Sequence, residues 1–523
     1  MSTGVDQAVA GATASVIEWL QAIAPGAALT SDSRSVRQGS VFFAYAGDGT
    51  QQDGRRFIED AIERGACAVI FDAAGFTWDA RGNLPHLACK SLRQLAGEIA
   101  RVHYGSPDNG MFCVAVTGTN GKTSCTQWLA AALSRKAQPA LVVGTFGIGL
   151  VEPGVARQFA LTGYTTPDAL QLQAALANAR AQSVTALAIE ASSIGLQQQR
   201  MRGLHIDVAL FTNLTRDHLD YHGDMASYEA AKTALFDWPG LRHAVINLDD
   251  AMGRRLVAHL RATAPQVGLT GYTIAGAGAG TDAAALGPDG VCLAARALRG
   301  SHAGTQFELH GASAAKMAVR TQLVGDFNVS NVLGVLGVLL AKGMPSTEAI
   351  AAIEALQPVA GRMQQLGGPE QPLVVIDYAH TPDALQKTLA SLRRVAQDRN
   401  GALWCVFGCG GDRDSGKRPL MGTVSQAADR VIVTSDNPRS EQPGQIIADI
   451  VAGIDAVRAP HVIEDRATAI LWAVRHAAKS DVILLAGKGH ESYQEIKGRK
   501  LQFLDADHAA LGLAARATMK GPH

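Results

Sequence analysis

The chain has no surplus of either charge. Its 47 Lys and Arg residues are matched by 47 Asp and Glu, so net charge gives no reason to expect nucleic acid or an anionic membrane surface as the main partner. Cysteine is scarce: Cys67, Cys89, Cys113, Cys125, Cys292, Cys405 and Cys409 are scattered without CxxC spacing. That pattern lacks a zinc signature and suits a reducing cytoplasm. Long hydrophobic runs are missing too. The longest, VLGVLGVLLA from Val332 to Ala341, is about half the length that spans a bilayer. The first twenty residues include Asp6 and Glu18 and have no basic stretch leading into an apolar one, so no targeting peptide is expected. The expectation is a cytoplasmic monomer that handles small molecules, with no nucleic acid partner and no membrane insertion.

At 523 residues the chain exceeds one core, and ordinary domain sizes suggest about three. From Met111 onward, short apolar runs (MFCVAVTG, LVVGTFGIG, VTALAIEAS, VALFTNL) alternate with helical patterns such as KTSCTQWLAAALSRK and DALQLQAALANARAQ. This is the rhythm of βαβ units around a largely parallel sheet covered on both faces. A second series starts near Leu373 with LVVIDYAH, ALWCVFGCGGDRD, DRVIVTSDNPR and DVILLAGKGHE. Between them, Gly268 to Gly311 reads as an irregular, β-rich part of the central unit. A shorter mixed region precedes Met111 and ends in the turn-forming YGSPDNG. The fold class expected is α/β in three domains: residues 1–105, 106–360 and 361–523.

The most specific local signal is VAVTGTNGKTS, Val114 to Ser124. It follows a strand and opens a helix, so Gly118 and Gly121 allow backbone N–H groups to turn toward a phosphate, with the helix dipole adding positive potential. Lys122 would reach the β and γ phosphates and Thr123 would offer a hydroxyl to Mg2+. The common pattern has a glycine where this chain has Val116, so this is a shortened variant. A glycine turn with a chance Lys-Thr is the bland reading. The strand before it and the helix after it favour nucleotide binding. A second signal, TNLTRDHLDYHGDMASYEAAK, runs from Thr212 to Lys232, again after a strand. His218 among carboxylates, with Glu190 ending the strand TALAIE, could ligate a divalent ion. Taken alone, a histidine beside aspartates is more often a surface ion pair.

Together and in order, SDSR, VTGTNGKTS, TTPD, EASSIGLQQQR, TNLTRDHLDYHGD, YEAAK, GDFNVSN, GRM, DYAHTPDAL, FGCGGDRDSGKRPLM, DNPR and AGKGHE resemble the Mur ligases. These are ATP-dependent enzymes that add amino acids to the UDP-N-acetylmuramoyl peptide of peptidoglycan. The likeness runs from about Ser31 to near Asp507 and is nearest to the members that add the third residue. The resemblance implies an N-terminal UDP-sugar-binding α/β domain, a central P-loop ATPase with a mostly parallel sheet, and a C-terminal Rossmann-like domain. It implies ATP contacts at Gly118, Thr119, Asn120, Gly121, Lys122, Thr123, Ser124, Asn328 and Arg362, with Asn331, Asp377 and His380 nearby. Thr123, Glu190, His218 and Lys232 would serve the Mg2+ site, Lys232 as a carbamate made with CO2, and Lys122, Lys232, Glu190 and His218 form the catalytic group. An added anion makes sense, because an ammonium at Lys232 would repel the metal ions beside a triphosphate.

For the nucleotide sugar, the resemblance implies Ser31, Ser33, Thr50, Gln51 and Gln52 around uridine, and Thr165, Thr166, Ser192, Gln198 and Arg200 around the muramoyl dipeptide. The loop YAGDGTQQDGRR is longer than the usual form. Tyr164 stands where Asn is frequent, and Ile194 where the family often has His. For the incoming amino acid it implies Arg413, Asp436, Asn437, Pro438, Arg439, Gly487 and Glu491. Asp-Asn-Pro-Arg marks the members that add meso-diaminopimelate, and the physics agrees. This substrate is lysine with one more carboxylate at its far end, and a planar guanidinium pairs with that group through two parallel hydrogen bonds. Lysine would bring an ammonium toward Arg439 instead, so discrimination by several kcal/mol, or about a thousandfold, is expected. DNPR alone would read as a turn with a surface arginine. GKGHE after the next strand shifts the balance, since ligands of open α/β sheets sit beyond the carboxyl ends of strands.

The implied reaction passes through an acyl phosphate on the D-glutamate γ-carboxylate, which the amino-acid amine then attacks; no general base is assigned. Because the two motif sets lie on separate α/β units, closure of the C-terminal domain over the central one is expected. A lysine-adding ligase, relatives such as folylpolyglutamate synthase or cyanophycin synthetase, and an inactive ATP-binding scaffold are the competing readings.

Overall fold

The computed structural model describes residues 2–47, 53–79, 83–136, 138–153, 158–274, 285–301, 304–311, 316–368 and 370–519. Thr50, Gln51 and Gln52 therefore lie outside the described residues, as does part of the Gly268 to Gly311 stretch.

Three sheets follow one another along the chain. The first has four parallel strands in sequence order, Leu29–Thr30, Val41–Ala44, Ala68–Asp72 and His86–Cys89. Helix Leu92–His103 packs against it by its apolar stripe, Leu92, Leu95, Ala96, Ile99 and Ala100, while its charged residues stay outside.

The second sheet is larger. Its parallel centre runs Gly268–Thr273, His243–Asn247, Val208–Phe211, Phe112–Thr117, Ala186–Glu190 and Ala140–Gly144. These strands are almost continuously apolar because helices cover both faces. Val291–Ser301 continues the parallel run beside Gly268–Thr273, and antiparallel strands extend both margins beyond it, among them Gly304–His310 and Met317–Thr321. The apolar run at Val332–Ala341 is the inner part of helix Asp326–Ala341, buried against this sheet. No helix among the described residues is long and apolar enough to cross a membrane.

This strand order positions the site. Phe112–Thr117, which leads into VTGTNGKTS, lies between Val208–Phe211 and Ala186–Glu190. All three point the same way, so the phosphate-loop candidate, Glu190 and the segment Thr212 to His218 emerge at one edge.

The third sheet has the order Gln364–Leu366, Leu373–Asp377, Val482–Ala486, Leu403–Phe407, Arg430–Val433 and His461–Val462, parallel after its first strand. The same logic gathers DYAH, GKGHE, GCGGDRD and SDNPR at its carboxyl edge. A hairpin, Tyr493–Ile496 with Arg499–Gln502, is stitched onto the DNPR loop through a bridge between Arg439 and Ile496.

Candidate active site

Two glycines shape the phosphate loop. Gly118 has φ +145° and a Cβ there would run into the Thr212 hydroxyl; Gly121, at φ +89°, leaves room for Asn331. The loop is pinned from the neighbouring strand: Thr119 N donates to Asn213 O at 2.8 Å and Asn120 N to Asn213 Oδ1 at 3.0 Å. Helix Lys122–Leu133 then starts with its N-terminus facing the edge.

Two lysines converge here on one acceptor. Lys122 Nζ donates to Gly118 O at 2.7 Å and Thr119 O at 2.9 Å, and Lys232 Nζ donates to the same Gly118 O at 2.9 Å. Lys232 is 1% exposed and its amine lies 4.4 Å from the centre of the Tyr228 ring. Burial, then the charge of Lys122, pushes the Lys232 amine well below the ordinary lysine range. Burial also lowers Lys122, although Glu190 and Asp217 pull the other way.

Glu190 is buried and held on the Thr123 side of the loop by Thr145, whose N donates at 2.9 Å and Oγ1 at 3.1 Å. Thr123 Oγ1 lies 3.5 Å from Thr145 Oγ1 and accepts from Arg362 Nη2 at 3.0 Å. His218 sits on the other side, half-exposed, with Nε2 3.6 Å from Asp217 Oδ2. Asp217 was not singled out in the sequence, where carboxylates are too common to discriminate. It faces Lys122, His218, Lys417 and His380. Burial alone would raise its pKa, but these four cationic or protonatable groups more than offset that and hold it below the usual carboxylate range. The His380 ring donates from Nδ1 to Tyr378 O at 2.8 Å, which turns Nε2 toward Asp217 at 3.9 Å. Burial first, then Lys417, lowers the pKa of His380 to about 4, so it is neutral at neutral pH.

A cavity of about 500 Å3 opens beside this loop, lined by Asn120, Gly121, Ser124, Asn328, Asn331, Arg362 and Asp377. Asn247, Asp249, Phe327 and Arg394 also line it and were not anticipated. They come from a third strand end and from helices of two domains, with no local motif to mark them. Gly118, Thr119, Lys122 and Thr123 form the adjoining rim of the loop.

The candidates for the muramoyl dipeptide form one network next to Glu190. Thr166 Oγ1 donates to Glu190 O at 2.7 Å and lies 2.9 Å from Ser192 Oγ. Arg200 donates to Gln198 Oε1 from Nε and Nη2, and to Thr166 O from Nη1 at 2.9 Å. Thr165 Oγ1 is 3.4 Å from Thr145 Oγ1. Tyr164, the departure noted above, lays its ring 4.1 Å from the Arg200 guanidinium while staying 55% exposed. In the first domain Ser33 is buried, with its hydroxyl 3.4 Å from Asp60 Oδ2. Ser31 is half-buried and faces Asp168 of the central domain.

The third sheet gathers the amino-acid candidates. Asn437 Nδ2 donates to Glu491 Oε2 at 2.8 Å, while its Oδ1 accepts from Lys488 Nζ and from Glu495 N. Gly487 has φ +110° and a Cβ would come within 2.8 Å of Asp436 Oδ2, so the glycine lets the two loops meet. Pro438 is buried, and Arg413 is exposed on the facing loop. Arg439 adopts a left-handed backbone (φ 51°) and already has company: Nη1 donates to Gly411 O at 2.6 Å and Nε lies 3.6 Å from Glu495 Oε2. The expected stranded guanidinium is thus partly paired in the free protein, which reduces the cost of leaving it without a substrate carboxylate.

The two edges face each other. Besides the Arg362 and His380 contacts, His490 packs on Phe146 with centroids 4.2 Å apart, and Arg216 lies 3.6 Å from Asp414.

At the opposite edge of the central sheet, Cys113, His205 and Asp207 form a compact group. His205 Nδ1 donates to Asp108 Oδ2 at 2.9 Å and Nε2 to Met111 O at 3.0 Å, with Asp207 Oδ2 3.3 Å away. Hydrogen bonds to Asp108, Asp207 and Cys113 push the imidazole up to about 12. With both ring nitrogens acting as donors, this is an ion-pair clamp joining the interdomain turn to two strands, and no lone pair is left for a metal.

Three family descriptions match in turn along the chain: Mur ligase family, catalytic domain, over residues 27–104; Mur ligase middle domain over 116–339; and Mur ligase, glutamate ligase domain, over 361–489. The chain is 63% identical over 507 residues to a UDP-N-acetylmuramoyl-L-alanyl-D-glutamate–2,6-diaminopimelate ligase of Janthinobacterium sp. (strain Marseille), covering 97% of each. It is 51% identical over 516 residues to the ligase of that name from Ralstonia nicotianae, again covering 97% of each. A solved structure of a ligase of that name aligns over 94% of this chain and 95% of the other, with 37% identity and a TM-score of 0.63. With its motifs brought to facing sheet edges and these likenesses running through all three domains, the chain belongs to the Mur ligase family.

Proposed function

We propose that this protein is an ATP-dependent ligase that joins meso-2,6-diaminopimelate to UDP-N-acetylmuramoyl-L-alanyl-D-glutamate, supplying a peptidoglycan precursor. The observation that carries the reading is the facing of two unlike edges in one chain: a lysine-rich phosphate loop on the central sheet, and a pocket of alternating charge at DNPR and GKGHE on the third. The near full-length identity to relatives of that name supports it.

ATP fits the cavity beside the loop, with its phosphates at Gly118 to Ser124 under the N-terminus of helix Lys122–Leu133. The buried Glu190 carboxylate is met by the N–H and the hydroxyl of Thr145, with the Thr123 hydroxyl next to Thr145, a hard oxygen donor set suited to Mg2+. Thr123 and Glu190 on one side of the loop, and His218 with a carbamylated Lys232 on the other, would hold Mg2+ ions, which when bound neutralise charge on the transferring phosphoryl group. The modification suits Lys232. Burial lowers the Lys232 pKa and so favours the unprotonated amine, whose lone pair can bond the carbon of CO2; release of an N–H proton then leaves a carbamate anion beside Lys122.

The D-glutamate γ-carboxylate attacks the γ-phosphorus of ATP; an O–P bond forms, and the bond to ADP breaks. Lys122 and Arg362 take up the charge on the transferring group. A neutral amine of the amino acid then attacks the acyl carbon, and the tetrahedral intermediate collapses with loss of phosphate. The Asp436 and Glu491 carboxylates would hold an amine protonated, so they suit the amine that does not react, at the distal end. Arg439 would pair with the carboxylate on that same carbon.

Phosphate release from ATP with the UDP-muramoyl dipeptide, comparing meso-diaminopimelate with L-lysine, tests the reading. Turnover with diaminopimelate is expected. Turnover with lysine alone would overturn the substrate, and no turnover with either would favour an inactive scaffold.

A further inference from the structure

Lys488, in the GKGHE segment, is fully buried, with a side chain 0% exposed. A lysine ammonium in that position is costly unless it is paired and hydrogen-bonded. Here Nζ donates to Asn437 Oδ1 at 3.1 Å and to Glu491 Oε2 at 3.2 Å, with the rings of Tyr493 and Phe503 about it. Those two acceptors decide the pocket's chemistry. Because Asn437 Oδ1 accepts from both Lys488 and Glu495 N, the amide orientation is settled, and Nδ2 must point at Glu491. Glu491 Oε2 is thereby held from two sides.

The neighbouring carboxylate has a matching support. Arg466 is buried and anchored by Asp505 through Nε at 2.8 Å and Nη2 at 2.7 Å, and Nη2 also donates to Ala486 O. Its Nη1 has no hydrogen-bond partner and points at Asp436 Oδ2, 4.0 Å away. One buried cation therefore stands behind each of the two carboxylates.

We propose that Lys488 is a positioning residue for amino-acid recognition: its ammonium holds Glu491 and Asn437 in the orientation that presents carboxylate to the distal ammonium of the substrate, as Arg466 supports Asp436. The inference rests on the functional reading above and extends it to a residue that cannot itself reach substrate. Asp436, Lys488, Arg466 and Tyr378 are the charged or titratable groups facing Glu491. Burial and Asp436 raise the Glu491 pKa, and Lys488 opposes that rise.

The test is steady-state kinetics of the full-length Lys488→Met enzyme, with Glu491→Gln and the double variant alongside. Lys488→Met is expected to raise KM for diaminopimelate about tenfold or more while KM for ATP stays within about twofold. The acid limb of its kcat/KM for diaminopimelate is expected at higher pH than in the wild type, because Glu491 has lost its cation. The double variant is expected within about threefold of Glu491→Gln alone, since Lys488 acts through that carboxylate. The double variant also removes the buried unpaired charge, so it gives a reading if the single variant does not fold. An unchanged KM for diaminopimelate, an equal rise in all KM values, or losses that multiply in the double variant would each overturn the assignment. If the wild type uses lysine instead, the functional reading fails separately, and the same comparisons are read on KM for lysine.

Discussion

At the phosphate loop, two buried or half-buried amines share the carbonyl of Gly118, whereas in the amino-acid pocket Lys488, Arg439 and Arg466 each face a carboxylate. The first arrangement sets a helix N-terminus and the Lys122 ammonium at one edge, so it favours a ligand that brings several negative charges. The second is nearly neutral before any ligand arrives. Such a pocket gains little from a lone charge and most from a ligand end carrying both signs, where each new pair replaces an existing one. On the function proposed above, the polyanion would be held by the field of a helix N-terminus and a lysine, and the zwitterion by charge pattern.

Breaking the first half should have the largest effect. Lys122→Met is expected to lower kcat/KM by ~10^3 or more, because charge on the transferring phosphoryl group loses its nearest protein cation. ADP release checks this, and an unchanged melting temperature separates it from misfolding. Arg439→Ala comes next. It should reduce kcat/KM for diaminopimelate by ~10^2 with KM for ATP unchanged; equal loss of both would mean that the bridge to Ile496 matters more than the guanidinium.

Glu495→Gln sharpens the comparison in a smaller way. With Glu495 neutralised, Arg439 loses its ion-pair partner, so diaminopimelate should be preferred over lysine by about threefold to tenfold more than in the wild type. Competition between the two amino acids measures this, and an unchanged ratio would show that Glu495 leaves the guanidinium free.

The clamp at His205 is the fully paired limit, and its effect concerns stability alone. Its folded pKa lies above its ordinary 6.5, at about 12. The stabilisation is therefore complete below pH 6.5 and declines as pH rises from there toward 12. His205→Gln should lower the denaturation midpoint most near pH 6 and less at pH 9, with kcat little affected. A gap that grows with pH would contradict the assignment.

Much of the nucleotide half was legible in the sequence. Gly118, Gly121, Lys122 and Thr123 lie within one short segment between an apolar strand and a helix, and backbone conformation there depends on neighbours in sequence. The convergence of Lys122 and Lys232 on a single carbonyl was not legible, since it depends on helix Met225–Thr233 docking under the loop. Asp217 and the cavity residues Asn247, Asp249, Phe327 and Arg394 escaped for the same reason: each is an ordinary polar or apolar residue in its own segment. In the amino-acid pocket the motif residues were named, but Arg439 was expected alone. Its partner Glu495 arrives on a hairpin far along the chain, and no spacing rule links them.

By itself the amino-acid sequence determined the order of strands and helices, the glycine-hinged loop and the chemical types available at each strand end, because these follow from periodicity and local backbone freedom. Only the tertiary structure decided which charges meet. Parallel strand order brings loops from distant segments to one edge, and burial then leaves each ammonium or carboxylate with whatever partners that edge supplies.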